Sequence, residues 1–292
     1  MRDYVILTDS TADLPAEMAD KLGLAVIPME FSIGDKTYLH YPDGRELGFK
    51  EFYDTVRAGA MPRTAQITMN TYMEWAEPIL KEGKDLLILA FSSALSGTYQ
   101  SACLAAAELA GKHPDAKILA VDSRAASMGE GLLAWYAAKK KEEGLSIEEL
   151  AAWLTDNRDH LCHWFTVDDL NHLKRGGRVS SAAALFGTLL GIKPVLHVDD
   201  EGRLIPMSKV RGRRQSLDAL ADKLEETFLG GEPQTVFISH GDAPEDAEYL
   251  AGQVKKRMGK KVADVVIHYI GPVIGAHSGP GTVALFFMGS HK

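Results

Sequence analysis

Small hydroxyl residues gather where strand-like runs of this chain give way to helical ones. Thr8-Asp9-Ser10-Thr11-Ala12-Asp13 follows the apolar run at residues 4–7. Ser92-Ser93-Ala94-Leu95-Ser96-Gly97-Thr98 follows residues 86–90, and Asp122-Ser123 follows residues 117–121. A turn entering a helix leaves backbone N–H groups unpaired, so hydroxyls placed there suit an anion. Gly97 would let a ligand come close to the backbone. Two further segments are richly equipped for loops. Pro62-Arg63-Thr64-Ala65-Gln66-Ile67-Thr68 is polar and precedes an amphipathic helix, and the stretch from Gly271 to Gly281 sets four glycines around His277. For Asp13 and Ser127 simple helix capping accounts for the residue type. Ser93 and Ser96 exceed what one cap requires.

Three kinds of chemistry fit these residues. The first is binding of an anion, with Ser93, Ser96, Gly97 and His277 as candidate contacts. The second is nucleophilic acyl chemistry by Ser93 or Ser96 with His277 as base, for which no acidic orienting group is evident. The third is an anion- or nucleotide-binding regulator. The chain has no glycine-rich phosphate loop with a Gly-Lys-Ser/Thr ending, no dinucleotide fingerprint after a strand, no Gly-x-Ser-x-Gly elbow and no paired-histidine metal motif. No metal or cofactor is therefore expected.

The elements that must position these groups alternate in the first half of the chain. The strand-like runs at 86–90 and 117–121 each lead into an amphipathic helix candidate, the signature of a largely parallel α/β sheet. Ser127 with Glu130, and Ser146 with Glu149, have capping-box spacing, and Gly144 reads as the C-cap between the two helices. Past residue 160 the pattern changes to hairpins mixed with crossovers. Residues 192–198 and 203–210 flank the acidic turn Asp199-Asp200-Glu201-Gly202. Leu217, Leu220, Ala221 and Leu224 share one helix face, as do Ala247, Leu250, Ala251 and Val254. The fold expected is α/β in two domains: residues 1–160 with a largely parallel sheet and flanking helices, and residues 161–292 with a mixed sheet.

Of the 292 residues 46% are hydrophobic and 25% charged, which matches a soluble globular protein and excludes disorder. A net charge of −8 argues against nucleic acid as partner. A local basic stretch runs from Lys174 to Arg214 and suits an acidic partner or anionic lipid headgroups. No apolar run reaches the ~20 residues of a membrane span, and no basic-then-apolar leader precedes the first strand, so a cytoplasmic location is expected. Cys103 and Cys162 sit in apolar surroundings and read as buried small side chains.

Four segments taken in order resemble the DegV family: Thr8-Asp9-Ser10-Thr11-Ala12-Asp13-Leu14, Ser93-Ala94-Leu95-Ser96-Gly97-Thr98-Tyr99-Gln100-Ser101-Ala102, Leu173-Lys174-Arg175-Gly176-Gly177-Arg178 and Gly275-Ala276-His277-Ser278-Gly279-Pro280-Gly281. That family includes the fatty-acid-binding subunits of bacterial fatty acid kinase. The resemblance implies two α/β domains around one long-chain fatty acid, its carboxylate at their interface on Thr64, Ser96 and His277, and its tail inside the N-terminal domain. It implies a non-catalytic protein that presents the carboxylate to a separate ATP-binding kinase subunit, with Arg178 and Arg211 near that partner. Leu95, Met128, Leu132 and Phe31 are apolar candidates for the tail. The chain departs from the family at Ala65, where Thr-Ser-Gln becomes Thr64-Ala65-Gln66 and one hydroxyl is lost.

Overall fold

The computed structural model describes residues 2–180 and 191–292, so the middle of the basic stretch lies outside the described residues. Four parallel strands make the first sheet: β1 (Tyr4–Asp9), β2 (Leu24–Ile27), β6 (Asp85–Ala90) and β7 (Ile118–Asp122), in the order β2-β1-β6-β7. Every residue of β6 is buried, as expected of a near-continuous apolar run in a sheet covered on both faces. A six-stranded mixed sheet holds β8 (Leu161–Thr166), β9 (Ile192–Val198), β10 (Leu204–Arg211), β11 (Gln234–His240), β12 (Val262–Tyr269) and β13 (Val283–Met288), ordered β10-β9-β8-β13-β11-β12. Within it only β11 and β12 pair in parallel, and β9 and β10 form the hairpin expected around Asp199–Gly202. The mixed α/β architecture expected from the sequence is the one found.

A third, small antiparallel sheet has no counterpart in the sequence reading. It joins β3 (Met29–Ile33), β4 (Lys36–His40) and β5 (Arg63–Thr64), with Phe31 opposite Thr64. β5 is only two residues long, too short to leave a periodic signal. It nevertheless fixes Thr64 to a strand rather than to a free loop.

The helix Met128–Glu142 lies between the two large sheets. Its first eleven residues include nine that are buried, and its faces show no clean polar side. A helix apolar all round belongs in an interior. One apolar cluster accordingly runs through it from Leu87 and Leu89 of the first sheet to Phe165, Phe237 and Phe286 of the second. Gly131 makes this possible, because a Cβ there would stand 2.5 Å from the Ala12 carbonyl.

Burying the start of that helix changes what its hydroxyl and carboxylate do. Ser127 does not cap it. The residue sits at φ 51°, with no side-chain bond to the helix. Its Oγ instead donates to Asp13 Oδ2 at 2.6 Å and lies 2.9 Å from Ser239 Oγ of β11. Glu130, expected as the other half of a capping box, is fully buried and accepts from the Thr8 and Thr11 hydroxyls at 2.9 and 3.0 Å. Asp13 is no N-cap of the following helix either. It adopts φ 49° and accepts from the Gly271 N–H at 2.9 Å. Local spacing suggested caps; tertiary burial turned both into cross-links. The Ser146–Glu149 capping box does form, and Gly144 follows the preceding helix end at φ 98°.

Burial pushes the Asp13 carboxyl up to about 8, against the pull of its Ser127 and Gly271 hydrogen bonds. The folded protein thus keeps a proton that the unfolded chain releases near its ordinary carboxylate value of 3.8. Asp13 therefore contributes stability that is full at low pH and is lost as pH rises toward 8. Asp13→Asn should flatten that loss. Chemical denaturation should show the wild type losing stability relative to the variant by about 1 kcal/mol per pH unit between pH 6 and 8. Parallel stability curves would show that Asp13 does not hold the proton.

Candidate functional site

Thr64 and His277 are 213 positions apart, and Thr64 Oγ1 lies 2.9 Å from His277 Nε2. The antiparallel pairing of β3 with β5 presents the threonine. The helix Pro272–Ser278, whose first residue is the proline favoured at a helix start, presents the histidine. Gly176 leaves room for the ring, because a Cβ there would stand 2.3 Å from Nδ1. Nδ1 itself is sealed in protein with no hydrogen-bond partner. A sealed N–H would cost more than a sealed lone pair, so the proton belongs on Nε2, donated to Thr64. Thr64 then has its own hydroxyl proton free for an acceptor. Burial, followed by the Arg178 charge, pulls the His277 imidazole down to about 4, so it is neutral near pH 7.

Thr64 and His277 line a cavity of about 230 Å³ between the sheets. Ser96, Gly97, Gln66 and Arg178 share its wall. Ser96 Oγ accepts from the Thr98 N–H at 3.2 Å and pairs with Thr98 Oγ1 at 3.0 Å, while Thr98 Oγ1 accepts from the Ile67 N–H at 3.3 Å. The two hydroxyl loops are thereby tied to each other. The remaining wall is mostly apolar, with Phe91 and Leu95 from the first half of the chain and Phe165, Leu173, Val273 and Ile274 from the second. A second, outer cleft of about 370 Å³ shares Thr64, Arg178 and His277 with the inner cavity and is lined further by Arg63, His172 and Arg175. The polar trio thus marks the junction of a basic mouth and an apolar interior.

Several residues singled out in the sequence lie elsewhere. Ser93 is exposed and outside the cavity wall. Its Oγ donates to Asp122 Oδ2 at 2.5 Å and its N–H to Asp122 Oδ1 at 3.1 Å, so it closes the ends of β6 and β7. The close approach at Gly97 is filled by protein, since a Cβ there would stand 2.3 Å from Gln66 Oε1. Arg178 is half-buried in the cavity wall rather than on an outer face, and its Nε donates to the Leu95 carbonyl at 3.2 Å. Burial lowers its pKa, and no carboxylate pairs with it among the described residues. Arg211 is exposed at the end of β10.

The cavity also lies between the sheets rather than inside the first one. Of the apolar candidates only Leu95 lines it; Phe31, Met128 and Leu132 belong to the packed cores. Residues 203 and 213 of the basic stretch are neutralised by Glu201 and Asp246, so the stretch does not form one continuous patch. Neither Ser93 nor Ser96 is hydrogen-bonded to His277, so the serine–histidine arrangement considered from the sequence is not formed by these residues. Among the described residues no cluster of metal-ligating side chains occurs, and no helix is long and apolar enough to cross a membrane.

Sequence reasoning missed His163 and Phe165 of β8 and Ala284 of β13 as cavity wall. Their two-residue spacing on one strand is the available signal, because alternate residues share a face.

Fold and site together define an α/β protein with two large sheets, one small one, and an apolar cavity whose polar junction opens into a basic cleft. The chain belongs to the DegV family: the family model described as an uncharacterised DegV-family protein matches residues 3–290. A DegV domain-containing protein of Clostridium perfringens is 47% identical over 292 residues, covering 100% of this chain and 99% of the relative. A solved DegV-family protein from Thermus thermophilus, described by its fatty acid binding, superposes with TM-score 0.88 at 32% identity over 99% of this chain and 100% of its own. Bacillus subtilis DegV, described as a fatty acid binding protein, gives 0.85 at 29% identity over 99% and 100%.

The neutral, sealed state of His277 can be read directly. In ¹⁵N-labelled protein the His277 ring should remain in its neutral form at pH 6 and titrate only near pH 4. Removing the neighbouring charge with Arg178→Ala should move that midpoint upward. A wild-type midpoint at the ordinary 6.5 would contradict the buried geometry.

Proposed function

We propose that this protein binds one long-chain fatty acid and presents its carboxylate to a separate ATP-using kinase subunit for acyl phosphate formation. The observation that carries the reading is the Thr64–His277 pair at the junction between an apolar cavity and a basic cleft. A carboxylate brought out of water needs convergent donors. Thr64 and Ser96 offer hydroxyls, the Gly97 turn lies beside them, and Arg178 brings a positive charge that no carboxylate among the described residues neutralises. The solved relatives described as fatty acid binding proteins support this choice of anion.

The tail contributes roughly 0.8 kcal/mol per buried methylene, about 11 kcal/mol for some 14 methylenes before the costs of association. Affinity then comes chiefly from the tail, and the polar junction sets which end faces out. The carboxyl end faces the outer cleft, where Arg63 and Arg175 would meet an incoming phosphoryl donor or an acidic partner. Arg211 stands apart from the cavity and suits the partner's docking surface. Transient approach to an anionic membrane surface fits the same mouth, where Met61 is 71% exposed beside Arg63.

Mass spectrometry of the denatured protein should release about one fatty acid per chain. Thr64→Ala and His277→Ala should each weaken oleate binding by about tenfold or more while leaving the circular dichroism unchanged, the scale of losing a charge-assisted hydrogen bond. Failure of both palmitate and oleate to bind the delipidated protein would sink the reading. With an ATP-binding fatty acid kinase subunit added, Arg211→Ala should slow acyl phosphate formation several-fold and leave oleate affinity unchanged. An unaltered rate would remove Arg211 from the docking surface.

A further inference from the structure

One polar side chain in the cavity wall serves neither the head group nor the fold. His163 lies on β8, two residues before Phe165, and both line the cavity. The pairing of β8 with β13 sets His163 opposite Phe286, ring centroids 4.5 Å apart, and Phe165 opposite Ala284. Directly opposed residues share a face, so the imidazole stands in an otherwise apolar wall. It is 5% exposed. Its Nδ1 is sealed without a hydrogen-bond partner, and its Nε2 bonds to no described residue. Burial holds the ring well below its ordinary value, at about 3, so it is neutral.

The other polar groups of the wall are accounted for. Ser127 is held by Asp13 and Ser239, Gln66 reaches Ser101, and Thr282 donates to the Ser278 carbonyl. Ser278 Oγ is unpartnered, but it adjoins His277 at the polar junction. Buried polar groups in native proteins normally find a partner, and an imidazole that has none is destabilising where a phenyl ring would pack without penalty. Such a group is tolerated when the ligand supplies the missing bond, and a site so equipped discriminates strongly for ligands that can make it.

Resting on the fatty-acid reading above, we propose that His163 recognises a hydroxyl group carried on the acyl chain, so that the favoured ligands are hydroxylated long-chain fatty acids. With Nδ1 sealed, the cavity reaches only Nε2, and a hydroxyl, which both donates and accepts, satisfies that nitrogen whether or not it carries the proton. A hydroxyl falling against Phe165 or Leu173 finds no partner and lowers affinity, which makes the preference depend on its position along the chain.

The delipidated protein would be titrated with stearate and with a series of monohydroxystearates bearing the hydroxyl at successive positions. At least one isomer should bind about tenfold more tightly than stearate, the value of one buried hydrogen bond. His163→Phe, with His163→Leu as a second variant, should abolish that preference, so that within each variant the best isomer and stearate bind with the same affinity. Stearate binding with no isomer preferred, or a preference that survives in a folded variant, overturns the role of His163 and leaves fatty acid binding standing. Binding of neither stearate nor any isomer overturns both.

Discussion

A helix whose first turns are buried cannot leave its start to solvent, and that constraint organises this molecule. Met128–Glu142 lies between the two large sheets, and the groups at its beginning find partners only across the chain. Ser127 joins Asp13 to Ser239, Asp13 takes the N–H of Gly271, and Glu130 accepts two threonine hydroxyls from the first strand's turn. Each partner is itself buried, so an unmet donor or acceptor there would carry its full desolvation cost. The network therefore sets the separation of the sheets. It also seats Gly271, the residue from which the histidine-bearing helix starts.

The site inherits its geometry from that seating. His277 is carried to Thr64 by a helix whose first residues hang from Asp13, and Ser127 itself forms part of the cavity wall. Stability and site geometry thus share residues, and two of the four non-glycine positive-φ residues among those described, Asp13 and Ser127, belong to this network. The polar and apolar halves of the cavity have different origins. The polar junction is assembled from a short strand, a helix and a turn: Thr64 from β5, His277 from the helix Pro272–Ser278 and Arg178 from the turn after the helix Asn171–Arg175. The apolar wall comes from strand faces that would otherwise pack as core.

Much of this was legible in the chain. Strand and helix runs with clear periodicity, such as residues 86–90 and the face of Leu217, Leu220, Ala221 and Leu224, reappear as β6 and a packed helix. The Ser146–Glu149 box was readable because a cap is satisfied within four residues of itself. Ser127–Glu130 has the same spacing and the opposite fate, because spacing does not record whether a helix start faces water or another sheet. The two-residue strand β5 left no pattern, and neither did the partnership of Ser93 with Asp122.

The sequence alone determined which residue types could hold an anion: hydroxyls at strand ends, and a histidine among glycines. These are local properties of composition and turn chemistry. Only the tertiary structure decided that Thr64 meets His277, that Ser93 does not enter the cavity, and that Arg178 lies in its wall. It also decided that the apolar space lies between the sheets instead of within the first. Those outcomes depend on which surfaces are buried against each other, and burial between segments far apart in sequence leaves no trace in local spacing.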